Sequence, residues 1–140
     1  MKARKSWREK LATNKDLPKT LVIPAPREVN EIMARVPHGK LTTIDQIRQR
    51  LASKHGTDAA CPMTTGIFAW IAAHAAAEAA ADGEVNTTPY WRTLKSGGQI
   101  NPKYPGGVKD QVRLLKAEGY KVVHKGQQFF VSDYEKSLFL

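Results

Sequence analysis

The chain offers little for covalent or metal chemistry. It holds one cysteine, Cys61, and four histidines, His38, His55, His74 and His124. A nucleophilic thiol needs its proton drawn off by a base or by a positive field. Cys61 stands just before Pro62 at an expected helix start, where the helix dipole favours a thiolate. The plainer reading is an inert thiol, since free cysteines are usually buried. No two histidines sit at metal-ligand spacing, so neither a metal nor a cofactor is expected. Ser96-Gly97-Gly98 allows close backbone approach but lacks the Gly-Lys-Ser/Thr order of a phosphate loop. The denser run is aromatic and basic: Tyr90, Trp91 and Arg92, within a stretch over 85–107 rich in Gly, Pro, Asn, Lys and Tyr. A phenol ionises only at about pH 10, and an indole has an N–H to donate and no basic lone pair. Such rings stack on a flat base or fill a core; filling is the favoured reading.

Charge points the same constellation at a polyanion. Lys and Arg number 22 against 13 Asp and Glu, a net charge of +9. Nucleic acid is the first partner this suggests and an anionic membrane surface the second. Seven basic residues against two acidic ones fall within residues 1–19; these read as a solvated terminus or as an arm that tracks phosphates. Within it Trp7 and Leu11, four apart, suit one docking helical turn. The stretch 59–77 is uncharged but too weakly apolar for a membrane span, and the N-terminus lacks a signal-peptide core. A cytoplasmic protein without membrane contact is expected. With one cysteine no internal disulfide can form.

The elements that must position these residues are mostly helical. Pro26 suits a first helical turn, and Val29, Ile32, Met33 and Val36 share a face before Pro37-His38-Gly39 ends it. Thr42-Thr43 can cap a second helix with Ile44, Ile47 and Leu51 as its buried stripe. Pro62 opens a third helix that runs through an alanine-rich stretch to Asp82-Gly83. Residues 85–107 read as a long structured loop. A fourth helix spans 108–118, and Gly119 stops it. Residues 120–123 and 129–131, with Lys125-Gly126 between them, read as a hairpin. Helices joined by short turns and followed by a hairpin make a winged helix-turn-helix: mainly α with small β. The expected organisation is a basic extension over 1–25, a winged-helix domain over 26–125, and a C-terminal strand and tail over 126–140.

Three segments together resemble the C-terminal domain of the alkylguanine-DNA alkyltransferases. The run from Val36 to Ile47, containing Pro37, Gly39 and Lys40, resembles the family's entry to its helix-turn-helix. Pro89-Tyr90-Trp91-Arg92 stands at the place of the active-site Pro-Cys-His-Arg. Tyr104-Pro105-Gly106-Gly107, followed by Leu114-Leu115-Lys116-Ala117-Glu118-Gly119, is similar to the segments that close the family's substrate pocket. The match spans roughly residues 27 to 120. In that family a thiolate attacks the alkyl carbon of a flipped-out guanine, activated through water by a histidine that a glutamate holds. Here Tyr90 replaces the cysteine and Trp91 the histidine, so the relay is absent by chemistry, and Glu118 remains without its family partner. Ile44 stands where the family carries a phosphate-rotating tyrosine, and residues 61–66 lack the arginine that fills the hole left by the base.

The resemblance therefore implies a non-catalytic binder of double-stranded DNA, like the alkyltransferase-like proteins that lack the cysteine yet bind alkylated bases and recruit other DNA-repair proteins. Sensing of damaged bases is its narrower form. Alkyl transfer onto Cys61, or a protein-interaction role for the alanine-rich helix, are the alternatives. The expected DNA contacts are Lys40, Thr42, Thr43, Met63, Thr64, Thr65, Lys95 and Lys103. The expected former substrate pocket is Tyr90, Trp91, Arg92, Tyr104, Gly106, Gly107 and Glu118. Met63 serves either as an apolar wedge in a minor groove or, the favoured reading, as core packing.

Overall fold

The computed structural model describes Arg8 and residues 20–139. The basic arm expected over residues 1–19, with the turn carrying Trp7 and Leu11, lies outside the described residues save for Arg8. Among residues 20–139, four α-helices form the body: α1 (Pro26–Ala34), α2 (Ile44–His55), α3 (Pro62–Ala81) and α4 (Gly107–Ala117). Each start and stop has a local cause. Proline opens α1 and α3, where a missing N–H costs nothing. Thr43 caps α2, its hydroxyl accepting from the Gln46 N–H at 3.2 Å. Gly56, left-handed at φ +64°, closes α2.

Strands are short and serve as clasps. β1 (Leu21–Val22) pairs in parallel with β3 (Ala59–Ala60), and β2 (Thr42–Thr43) with β4 (Thr93–Leu94). β5 (Val122–Lys125) and β6 (Gln128–Val131) form the antiparallel wing. Beyond it the chain returns to the body: Leu41 N–H bonds Ser137 O, and Phe139 N–H bonds Leu41 O, both at 2.8 Å. Arg50 Nη2 ties down the Phe139 carbonyl at 3.0 Å.

Two hydrophobic clusters share Trp91 at their seam. One gathers Val29, Met33, Ile47, Leu51, Ala69, Ala73, Tyr90 and Tyr104 among α1, α2 and α3. The other gathers Leu41, Leu94, Ile100, Leu115 and Val131 beneath the wing. Buried Ala69, Ala72, Ala73 and Ala76 let α1 lie close on α3.

Two expectations change. The long loop of residues 85–107 holds two 3₁₀ turns, Tyr90–Arg92 and Ser96–Gly98, with β4 between them. Thr93, Leu94 and Ile100 from this segment are fully buried. Its order comes from pairing with β2 and packing under the wing, which no local periodicity announces. The first wing strand also starts two residues later than expected. The Tyr120 N–H returns to Leu115 O and the Gly119 N–H to Lys116 O, so both residues belong to the exit of α4.

Candidate nucleic-acid interface

The residues of the expected substrate pocket are brought together, and they close it. Tyr104 is 2% exposed and Tyr90 is buried. Tyr90 meets Trp91 edge-to-face at 5.4 Å and Tyr104 at 6.0 Å. Burial pushes both phenols above their ordinary ionisation range. A nearby Asp110 carboxylate adds to the rise at Tyr90. Gly106 and Gly107, at φ +74° and +68°, form the entry to α4, and a Cβ on Gly106 would collide with the Asp110 side chain. Buried Gln111 fastens the loop to α4 by donating to Asn101 O and, at 3.3 Å, to Gly107 O. Of the two readings of these aromatics, packing is the one the coordinates support.

Glu118, without the histidine of the family, is paired locally. The Trp91 indole N–H donates to it at 2.5 Å, Arg92 Nε to both its oxygens at 3.0 Å, and the Gly39 N–H at 3.2 Å. Arg92 Nη1 also donates to Val36 O at 2.8 Å. The Glu118 and Arg92 side chains are only 5% and 13% exposed. The indole supplies the donor that an imidazole would have supplied, so the carboxylate stays satisfied. Among the described residues, every group bonded to this carboxylate is a donor. The result is a lock joining the turn after α1, the Tyr90–Arg92 turn and the end of α4.

The accessible chemistry lies on α3 instead. Met63 is 73% exposed, and Ile67, Trp70 and Ile71 follow it on the surface at helical spacing. This overturns the expectation of Met63 in the core. The cause is that α3 is apolar on nearly all sides, and its alanine face is the one that α1 covers. Beside the exposed row runs an open groove of about 580 Å³ lined by Met63, Gly66, Ile67, Trp70, Lys95, Asn101 and Lys103. Trp70 Nε1 and His74 Nε2 both bond the Lys103 carbonyl at 3.0 Å, which fixes the lysine-bearing loop against α3. Sequence reasoning gave Trp70, His74, Asn101 and Gln111 no role in the site. The signal for Trp70 was present: Met63, Ile67 and Trp70 stand at i, i+4 and i+7, one face of a helix.

The other expected contacts divide by exposure. Lys40, Lys95 and Lys103 are exposed and Thr64 is half-buried. Thr42, Thr43 and Thr65 are buried and cannot reach a ligand surface. They serve the backbone: Thr43 caps α2, Thr42 donates to Gln46 Oε1 at 3.0 Å, and Thr65 donates to Cys61 O at 2.7 Å. Cys61 is half-buried at the start of α3. Hydrogen bonding from the Thr64 side chain, then from its backbone, holds the Cys61 thiol below its ordinary range. Among the described residues, no group of three or more His, Cys, Asp and Glu side chains could hold a metal ion. Nor is any described helix long and apolar enough to cross a membrane.

Neither a protein-family model nor a curated protein matches the sequence. Solved structures match the fold. One is S. pombe Atl1 in complex with damaged DNA containing O6-carboxymethylguanine, with a TM-score of 0.53 at 18% identity, covering 82% of this chain and 94% of that one. Another is S. pombe ATL in complex with DNA, with a TM-score of 0.56 at 13% identity and the same coverages. The winged helix-turn-helix, mainly α with small β, is thus the fold of this chain, and it is shared with the alkyltransferase-like proteins.

Proposed function

We propose that this chain, built on the alkyltransferase-like fold, is a non-catalytic DNA-binding protein that meets duplex DNA with the exposed face of α3. The observation that carries the reading is the apolar row of Met63, Ile67 and Trp70 flanked by Lys95 and Lys103. A row of this kind fits the floor of a groove, and lysines at its rim fit the phosphates on either side. The two solved neighbours, both in complex with DNA and one with damaged DNA, support DNA binding and a role in handling damage. Recruitment of other repair proteins belongs to the same reading. The absence of alkyl transfer rests on Tyr90 and Trp91, which supply neither thiolate nor base.

Titration of a labelled duplex at several salt concentrations tests the proposal. Binding should be tight at low salt, with log affinity falling by roughly 0.9 per log unit of salt for each phosphate neutralised. Lys95→Ala and Lys103→Ala should each flatten that slope by about one phosphate's worth. A chain that ignores duplex DNA at low salt, or whose slope is untouched by both variants, refutes it.

A further inference from the structure

Resting on that DNA-binding reading, we propose that α3 recognises duplexes with a locally weakened base stack by driving Met63 between base steps, without lodging an extrahelical base in the old pocket. Two independent features of the structure lead here. The first is the pocket. Capturing a base there would require Tyr90 and Tyr104 to leave a core in which they contact each other, with Tyr90 also against Trp91. The wall beyond is held by the Glu118 lock and by Gln111. Residues 61–66, which open α3, include no arginine to replace a departed base.

The second feature is the side-chain inventory of α3. From Pro62 to Ala81 the helix has no Lys, Arg, Asn, Gln or Asp, and its one charged residue, Glu78, lies far down its length. Direct readout needs donors and acceptors aimed at base edges; on the exposed row of this helix Met63 and Ile67 offer none, and the Trp70 indole N–H is already given to the Lys103 carbonyl. What it presents is a flexible thioether in its first turn, with Ile67 one turn behind to follow it. Apolar wedges of this kind unstack a step and bend the duplex away from the minor groove. Such a protein discriminates by deformability: a mismatched, abasic or damaged step costs less to open than a sound one. Charge complementarity selects DNA as the occupant of this face, because Lys95 and Lys103 border the apolar row and the chain carries +9 overall.

The experiment compares duplexes of one sequence: fully matched, with a central mismatch, with an abasic site, and with a central O6-alkylguanine chosen to destabilise the duplex as much as the mismatch does. Affinity is measured by anisotropy and bending by energy transfer between the duplex ends. The chain should bend the weakened duplexes and prefer them over the matched one by on the order of tenfold, the saving of about one stacking step. It should not separate the alkylguanine from the equally destabilising mismatch. Met63→Ala, at an exposed position, should keep its fold but lose both the preference and the bend, so that its affinities for weakened and matched duplexes converge; Met63→Leu should retain the preference and the bend. Preference for the alkylguanine over the equal mismatch, or a bend and preference that survive Met63→Ala, overturns the wedge and leaves DNA binding standing. Failure to bind any of the duplexes overturns both.

Discussion

The Glu118–Arg92 pair can be weighed by removing its charges singly and together. Glu118→Leu would leave the Arg92 guanidinium, 13% exposed, with the Val36 carbonyl as its remaining partner among the bonds described above. It would also strand the Trp91 and Gly39 N–H groups. Breaking one side of a buried ion pair costs about 3–5 kcal/mol, and Arg92→Leu falls in the same range because it leaves a buried carboxylate. For a domain of this size the loss corresponds to a fall in Tm of about 10–20 °C. The double variant loses no uncompensated charge. Its cost is that of three groups left short of a partner, the Trp91 and Gly39 N–H groups and the Val36 carbonyl, at about 1 kcal/mol each. The singles sum to about 6–10 kcal/mol while the double comes to about 3 kcal/mol, so a coupling of at least about 3 kcal/mol should emerge from the cycle. Urea unfolding followed by circular dichroism measures all four proteins. Additive singles, or a Glu118→Leu variant within about 1 kcal/mol of the parent, would refute the assignment of Glu118 as a structural lock.

Three further outcomes follow from the geometry. The Glu28 carboxyl is held down to about 2 from 4.5 by Lys54 first, then by the Ala25 N–H, then by His55. A depressed carboxyl stabilises the fold above its unfolded pKa and loses that contribution as pH falls through the folded one. Because Lys54 is mostly solvated, Glu28→Gln should cost only about 1 kcal/mol at pH 6. The gap between parent and variant in urea midpoint should close between about pH 5 and pH 2, and a gap independent of pH would contradict this. Thr43→Ala should cost about 1 kcal/mol and Thr43→Ser much less, because only the hydroxyl caps α2; equal losses in thermal melts would count against the cap. Incubation with O6-alkylguanine DNA should add no alkyl mass to the Cys61 peptide, since the hydrogen bonds of the Trp91–Glu118 cluster run to Gly39 and Arg92 and not to Cys61; an alkylated peptide would make the chain an enzyme.

The residue order alone determined where helices begin and end and which chemistry was lost. Pro26 and Pro62 at first turns, the Thr43 cap and the glycine stops are local devices that act through their own neighbours. The replacement of a thiol and an imidazole by Tyr90 and Trp91 is a matter of functional groups and needs no coordinates to interpret. Tertiary packing decided the rest. The face of α3 that α1 would cover could not be read from a helix apolar on nearly every side, so Met63, favoured as core packing, is exposed and Thr65, expected at the DNA, is buried. β4 gained its order from a partner about fifty residues away along the chain. The fate of Glu118 depended on donors from two other segments, the turn after α1 and the Tyr90–Arg92 turn, because the burial that makes a carboxylate costly also makes its satisfaction a property of the assembled fold.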